Sequence, residues 1–98
     1  MKNVIVVANI TIKEEFTNEV YKALVELHEK TNKYDEGCIS YELHKELGKD
    51  NSFTFIEIWE NKEFLKNHTQ KEHFLKFSNF IDGKVFSMNV QKLEKIKF

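Results

Sequence analysis

The segment from Asp35 to Phe74 constrains the fold most, because two strand-like patterns in it are followed at once by a helical one. Cys38 to Lys45 alternates with the two-residue period of a β-strand, and Phe53 to Glu60 does the same. The polar run between them contains Gly48 and is typical of a hairpin loop. One face of the second strand carries Phe53, Phe55, Glu57 and Trp59. A carboxylate on such an aromatic face needs a partner, because an unpaired buried charge is costly.

The residues before and after this segment predict two more strands and a long helix. Residues 3–12 are β-branched and apolar on both faces, which predicts a strand that is buried on both sides. Asn9 interrupts the pattern, and an inward amide would need either backbone hydrogen bonds or a bound ligand. From about Glu15 to Tyr34 the apolar residues recur every three or four positions, as in an amphipathic helix. Residues 84–96 alternate again and predict the last strand.

The region after the third strand predicts two short helical pieces. Asn61 is placed to cap the first, which carries Phe64 and Leu65. Thr69 and Glu72 match a T-x-x-E capping box that would start the second. Its predicted inward residues are Phe74, Phe77, Phe80 and Ile81, with Gly83 as the stop.

The resulting order, βαββαβ, predicts an α+β ferredoxin-like sandwich formed by a single domain over residues 1–98. Two helical elements can cover only one face of a four-stranded sheet. The other face is also apolar, and a monomer rarely exposes an apolar patch of that size. We therefore expect a homodimer in which two sheets pack together, giving a dimeric α/β barrel-type assembly.

The composition excludes several classes of protein. A net charge of −1 over 98 residues gives no reason to expect a nucleic-acid surface. A single cysteine cannot form an internal disulfide, and no signal peptide or long apolar run is present, so we expect a cytoplasmic protein with no membrane partner. Nucleotide-binding and hydrolase motifs are missing from the sequence. The nine phenylalanines either fill the core or line a cavity for a flat apolar ligand.

His68 and His73 are the candidate functional histidines. They are five residues apart, which would place them on different faces of a continuous helix, so we predict no metal site there. If Thr69 caps the helix, the two rings could brace its first turn. The functional alternative is that one of them pairs with Glu57 and carries a proton. Cys38 follows the predicted turn and is interpreted as a small buried apolar residue.

Three motifs in this region resemble those of the antibiotic biosynthesis monooxygenase (ABM) domain, in its quinol-monooxygenase-like branch. They are E-G-C-x-x-Y from Glu36, E-x-W-E from Glu57 and H-x-x-x-x-H-F from His68. The resemblance implies a dimeric ferredoxin-like protein. Some members of the family oxygenate polycyclic phenols or quinols with no metal or flavin, whereas others degrade haem or isomerise signalling molecules.

The resemblance also shows which family sites this chain lacks. Trp59 matches the tryptophan of the anthrone-oxidising members, but the positions of their Asn, Tyr and Arg hold Phe55, Leu65 and Asn79. The haem-degrading branch has a tryptophan and a proximal histidine where this chain has His68 and Ser78. Haem is therefore not an expected cofactor.

These observations predict a cofactor-independent monooxygenase that acts on a small aromatic, quinol-like substrate. In this hypothesis His68 is the base, Glu57 pairs with it, and Trp59 helps to hold the ring. The predicted substrate-binding residues are Asn9, Phe55, Leu65, His73, Phe74 and Phe77. The alternatives are a non-catalytic small-molecule-binding or stress-related protein of the same fold, and an isomerase or tautomerase that uses the same proton chemistry.

Overall fold

The computed structural model describes residues 2–98 as a four-stranded sheet with three α-helices. The strands are β1 (Val4–Ile12), β2 (Cys38–Lys45), β3 (Ser52–Trp59) and β4 (Val85–Leu93). The helices are α1 (Thr17–Tyr34), α2 (Lys62–His68) and α3 (Glu72–Phe80). A short 3-10 turn, Glu14–Phe16, leads into α1.

The sheet is antiparallel throughout, with the strand order β2-β3-β1-β4. β1 and β3 occupy the centre, which agrees with their nearly continuous apolar sequences. This is the predicted α+β ferredoxin-like arrangement, so the fold class read from the sequence is confirmed.

The register defines which residues face the helices. Across the central pair, Val4 lies opposite Trp59, Val6 opposite Glu57 and Ala8 opposite Phe55. Directly opposite residues share a face, and these belong to the face on which the helices pack, which we call the helix face. α1 adds four buried residues to the core on this side: Val20, Leu24, Leu27 and Thr31. The predicted aromatic face of β3 is therefore the face of the hydrophobic core.

The opposite face of the sheet, which we call the open face, is uncovered. It carries apolar side chains from three strands: Ile5, Val7, Ile56, Ile58 and Leu93. Ile56 is 38% exposed and Leu93 is 45% exposed. Asn9 also lies on the open face, where its Oδ1 accepts a hydrogen bond of 2.7 Å from the Thr54 hydroxyl.

The junction between α2 and α3 differs from the sequence prediction. Asn61 caps α2 as predicted, with its Oδ1 accepting from the backbone N–H of Phe64 at 3.0 Å. The capping box is wrong, because Thr69 closes the C-terminus of α2 and its hydroxyl donates to the carbonyl of Lys66. α3 instead starts after Lys71, which provides no side-chain cap. His68 and His73 consequently lie in two separate helices.

Two smaller features complete the fold. Phe77 and Ile81 point inward as predicted, but Phe80 is 38% exposed and lies under the ammonium group of Lys84. Of the helices within residues 2–98, none has the length and apolar character needed to cross a membrane.

Candidate active site

A cavity of about 940 Å³ lies between the helix face of the sheet and the helices α2 and α3. Its volume is at the upper end of the range that small-molecule sites occupy. Its walls are mainly apolar and come from every strand and helix, including Val4, Val6, Ala8, Leu27, Tyr41, Phe55, Leu65, Phe74, Phe77, Ile81, Met88 and Val90. Glu57 and His68, which have little solvent exposure, also line it.

His68 is the last residue of α2 and is enclosed by aromatic rings. Its ring centroid lies 4.7 Å from that of Trp59, 5.3 Å from that of Tyr41 and 5.0 Å from that of Phe74. The residue is only 2% exposed. Burial among these rings lowers the pKa of His68, because it disfavours the charged imidazolium, although the neighbouring Asp35 works in the opposite direction. The imidazole is therefore neutral near pH 7.

Asp35 holds both histidines of the sequence motif. Its Oδ2 lies 2.5 Å from Nδ1 of His68, and its Oδ1 lies 2.7 Å from Nε2 of His73. The Asp35 side chain is 1% exposed. The residue sits directly after α1, where its backbone N–H donates to the carbonyl of Thr31 and fixes the start of the turn. The sequence predictions did not include Asp35 as a site residue, because its contacts with the two histidines join separate elements of the fold.

The carboxylate of Asp35 determines the tautomer of His68. An ionised carboxylate only accepts hydrogen bonds, so Nδ1 of His68 must carry the proton. In the neutral ring, Nε2 then keeps its lone pair. Within residues 2–98 this nitrogen has no hydrogen-bond partner. It is also accessible, because Oγ1 of Thr31 is the one side-chain nitrogen or oxygen of those residues that is both fully enclosed and unpaired. His68 thus presents a basic nitrogen to the cavity.

Glu57 does not pair with His68, which corrects the sequence hypothesis. Its Oε1 accepts a hydrogen bond of 2.8 Å from Nε1 of Trp59, two residues along the same strand face. The predicted burial of Glu57 is confirmed, with 5% of the residue exposed. Burial raises the pKa of Glu57 to about 7, and the Trp59 hydrogen bond only partly offsets this effect. The tryptophan satisfies this carboxyl group because it is nearer and can only donate.

The other predicted site residues divide into two groups. Phe55, Leu65, Phe74 and Phe77 line the cavity, whereas Trp59 is 0% exposed and is not among the lining residues. Asn9 is not brought to the cavity, because its strand position faces the open side of the sheet. His73 is also outside it and borders a separate groove of about 570 Å³ between α1 and α3. Its link to the site is the hydrogen bond to Asp35.

Two other nucleophilic groups lie near the cavity, and both remain protonated near neutral pH. Burial, followed by the charges of Asp35 and Glu57, raises the pKa of the half-buried Cys38 thiol to about 11. Burial and the charge of Glu57 also raise the pKa of the Tyr41 hydroxyl. Cys38 is half-buried rather than buried as predicted, and its raised pKa fits a structural residue rather than a nucleophile.

Asp35, His68 and His73 also form the one group among residues 2–98 whose ligand atoms could converge on a metal ion, all lying within 4.8 Å of one another. The spacing argument against a metal site does not hold, because the helix breaks between the two histidines. In the observed arrangement, however, each imidazole nitrogen directs its proton to the carboxylate. A metal would have to displace both protons, and the group offers three ligands.

A glycine sets the position of Asp35. Gly37 has φ of 74°, and a Cβ at this position would overlap the ring of Phe64 at the start of α2. The carbonyl of Gly37 accepts a 2.9 Å hydrogen bond from the backbone N–H of Glu60. The turn after α1 is therefore packed directly against α2, which brings Asp35 within reach of His68.

The fold and the cavity define a small ferredoxin-like domain that encloses a ligand site between its sheet and its helices. Residues 3–79 match the model of the family described as antibiotic biosynthesis monooxygenase, and the chain belongs to this family. The family resemblance seen in the sequence is thereby confirmed.

Individual relatives share sequence or fold with this chain. The chain is 34% identical over 74 residues to the uncharacterized protein sll1783 of Synechocystis. The matched region covers 76% of this chain and 50% of that protein. A solved structure of an antibiotic biosynthesis monooxygenase superimposes with a TM-score of 0.89 at 27% identity, covering 96% of this chain and 99% of the other. The structure of PA3566 from Pseudomonas aeruginosa superimposes with a TM-score of 0.92 at 24% identity. The superposition covers 99% of this chain and 97% of PA3566, and it shows the shared fold. The chain spans 50–63% of the length of the curated relatives it matches.

Proposed function

We propose that the cavity is the active site of a cofactor-independent monooxygenase that oxidises a small aromatic, quinol-like substrate with dioxygen. The observation that carries this proposal is the state of His68. Its Nδ1 is bonded to the buried carboxylate of Asp35, its Nε2 is unpaired among residues 2–98, and aromatic rings surround it. This is the arrangement of an oriented general base in a dry, aromatic site. Membership of the monooxygenase family supports the same reaction class.

The reaction would start with proton transfer from a phenolic hydroxyl of the substrate to Nε2 of His68. The imidazolium that forms lies against Asp35, whose negative charge stabilises it. The substrate anion is electron-rich and adds dioxygen at a hydrogen-bearing ring carbon ortho or para to the oxygen, giving a peroxide. His68 then returns its proton to the peroxide.

The second half of the reaction uses the same base. Nε2 removes the hydrogen from the carbon that bears the hydroperoxide while the O–O bond breaks, and the departing hydroxide leaves as water. For a hydroquinone, one molecule of dioxygen gives one hydroxyquinone and one water, so the substrate supplies all the electrons. Glu57 would hydrogen-bond a second hydroxyl of the substrate, since the residue lines the cavity and its Oε2 has no hydrogen-bond partner among residues 2–98.

Oxygen uptake with hydronaphthoquinones and anthrone tests the proposal. We expect enzyme-dependent uptake, and with ¹⁸O₂ we expect one labelled oxygen atom in the product and the other in water. His68→Gln should abolish the uptake above the rate of autoxidation. His44→Gln is the matched control, because His44 is an exposed histidine of β2 outside the cavity.

The two alternatives give different results in the same samples. Ligand binding without oxygen uptake would favour a binding protein. Exchange of substrate hydrogens with deuterated water, again without uptake, would favour an isomerase or tautomerase. Either result would contradict the monooxygenase proposal.

We also propose that the chain forms a homodimer through the open face. The support is the row of apolar side chains from β1, β3 and β4 that the chain itself leaves uncovered, including Ile56 and Leu93. Burying this face against a second copy would remove it from water and give each β-sheet a second packed layer.

A further inference from the structure

The opening of the cavity carries an excess of positive charge. Lys62 and Lys66 of α2 and Lys92 of β4 line it, and its one acidic residue is the buried Glu57. We propose that the substrate is an aromatic compound bearing a carboxylate or a similar anionic group, which Lys62, Lys66 and Lys92 bind. This inference rests on the proposed function of the cavity and adds the charge of its substrate.

Within residues 2–98, five lysines pair with a carboxylate, and Lys62, Lys66 and Lys92 are among the lysines that do not; what these three share is that they line the cavity. Lys45 pairs with Asp50, Lys49 with Glu46 and Lys2 with Glu94, among other pairs. Within residues 2–98, no hydrogen bond or ion pair involves the side-chain ammonium group of Lys62, Lys66 or Lys92. The chain as a whole has a net charge of −1, so the imbalance is local to the cavity opening. An anion is the ligand that such a group of unpaired ammonium groups would attract.

The placement of the lysines matches a ligand with one polar end. Lys62 and Lys66 are four residues apart, so they lie on the same face of α2. Lys92 pairs in register with Val6, which itself lies opposite Glu57, so Lys92 approaches from the sheet side. All three are exposed, whereas Glu57 and His68 are buried.

The interior of the cavity would orient this ligand. Phe55, Leu65 and Val90 provide apolar walls for a flat ring. The carboxyl group of Glu57 would repel an anionic group that entered first, at any pH where it is ionised. The anionic end would therefore stay at the lysines, and the phenolic end would reach His68.

Binding of two matched ligands tests the proposal without requiring turnover. We would titrate the protein calorimetrically with 6-hydroxy-2-naphthoate and with 2-naphthol, which differ only in the carboxylate. We expect the carboxylate to bind about tenfold more tightly at low salt, as three exposed charge contacts of modest strength would give. The preference should shrink in high salt, because exposed charges are screened.

The variant that isolates the lysines is Lys62→Gln combined with Lys66→Gln and Lys92→Gln. It should bind the two ligands equally while retaining wild-type affinity for 2-naphthol. The control combines Lys22→Gln, Lys45→Gln and Lys49→Gln, which changes the net charge equally at positions outside the cavity. This control should keep the preference for the carboxylate.

Three results would overturn the inference: equal affinities in the wild type, a preference that survives in the Lys62, Lys66 and Lys92 variant, or no binding of either ligand. The outcome is separate from that of the oxygen-uptake experiment. A lysine-dependent preference in a protein that consumes no oxygen would keep the anionic ligand and reject the oxygenase.

Discussion

At the residue scale, Asp35 determines which nitrogen of His68 faces the cavity, because its carboxylate accepts the Nδ1 proton. Asp35→Asn would remove the charge that stabilises the imidazolium, and an amide N–H that donates to Nδ1 would stabilise the tautomer with the proton on Nε2. We expect kcat for quinol oxidation to fall by about 10²-fold or more, with KM changed little, since Asp35 does not line the cavity. Steady-state oxygen uptake across pH measures this effect.

Asp50→Asn is the control for the Asp35 variant, because Asp50 is an exposed aspartate in the β2–β3 loop. Circular dichroism should show that both variants keep the fold. An Asp35→Asn protein with wild-type kcat and an unchanged pH profile would show that Asp35 has only a structural role.

Glu57 leads to a prediction about stability and pH. Its pKa is raised from 4.5 to about 7, so the folded state binds this proton more tightly than the unfolded state. The associated stability is fully present below pH 4.5 and is lost as the pH rises to about 7. Glu57→Gln should therefore match the wild type below this range and be more stable above it, by roughly 1–3 kcal/mol.

Urea unfolding of the wild type and the Glu57→Gln variant over this pH range measures the difference. The neighbouring titratable groups, Tyr41 of β2 and His68 of α2, are present in both proteins and largely cancel. Glu60→Gln, at an exposed position next to β3, should change stability little at any pH. A Glu57→Gln variant that is less stable than the wild type at pH 8 would contradict the prediction.

At the element scale, the turn between α1 and β2 couples the two parts of the site. Gly37 combines a positive φ with close packing against Phe64 of α2. Gly37→Ala should therefore lower the free energy of unfolding by more than about 2 kcal/mol, through backbone strain and overpacking together. It should also lower activity, because Asp35 would be displaced from His68.

Gly48→Ala is the matched control for the turn, since Gly48 has a similar φ of 79° but nothing within 4 Å of an added Cβ. Gly48→Ala should lower the free energy of unfolding by about 1 kcal/mol, which is the effect of backbone strain alone. The double variant Gly37→Ala/Phe64→Ala should lose less free energy of unfolding than the sum of the two single variants. The reason is that the added Cβ at position 37 no longer overlaps the Phe64 ring. Equal losses for the two glycine variants would show that Phe64 does not constrain the turn.

At the scale of the whole molecule, the uncovered open face predicts association. Ile56→Lys places a charge in the middle of this face and should convert a dimer into a monomer at micromolar concentration. Sedimentation velocity measures the change. Leu47→Lys, at a loop residue that is 96% exposed, should leave the assembly unchanged. A wild-type protein that sediments as a monomer would remove the homodimer proposal.

The sequence by itself determined the order of the elements and the two faces of the central strands. Alternation and helical periodicity are local properties, and they placed Phe55, Glu57 and Trp59 on one buried face correctly. The cap at Asn61 was predictable for the same reason, because it involves a residue only three positions away. The family motifs identified His68 and the aromatic residues near it as the place to look for a site.

Only the tertiary structure decided how the ionisable groups pair. Asp35 meets His68 and His73 across 33 and 38 residues, and no periodic pattern reports a contact between separate elements at such a distance. Both faces of β1 are similarly apolar, so strand pairing and helix packing alone set Asn9 on the open side. The partner of Glu57 was decided by proximity, since Trp59 can donate from the same strand face. Side-chain partners depend on distances between elements, and these distances exist only once the chain has folded.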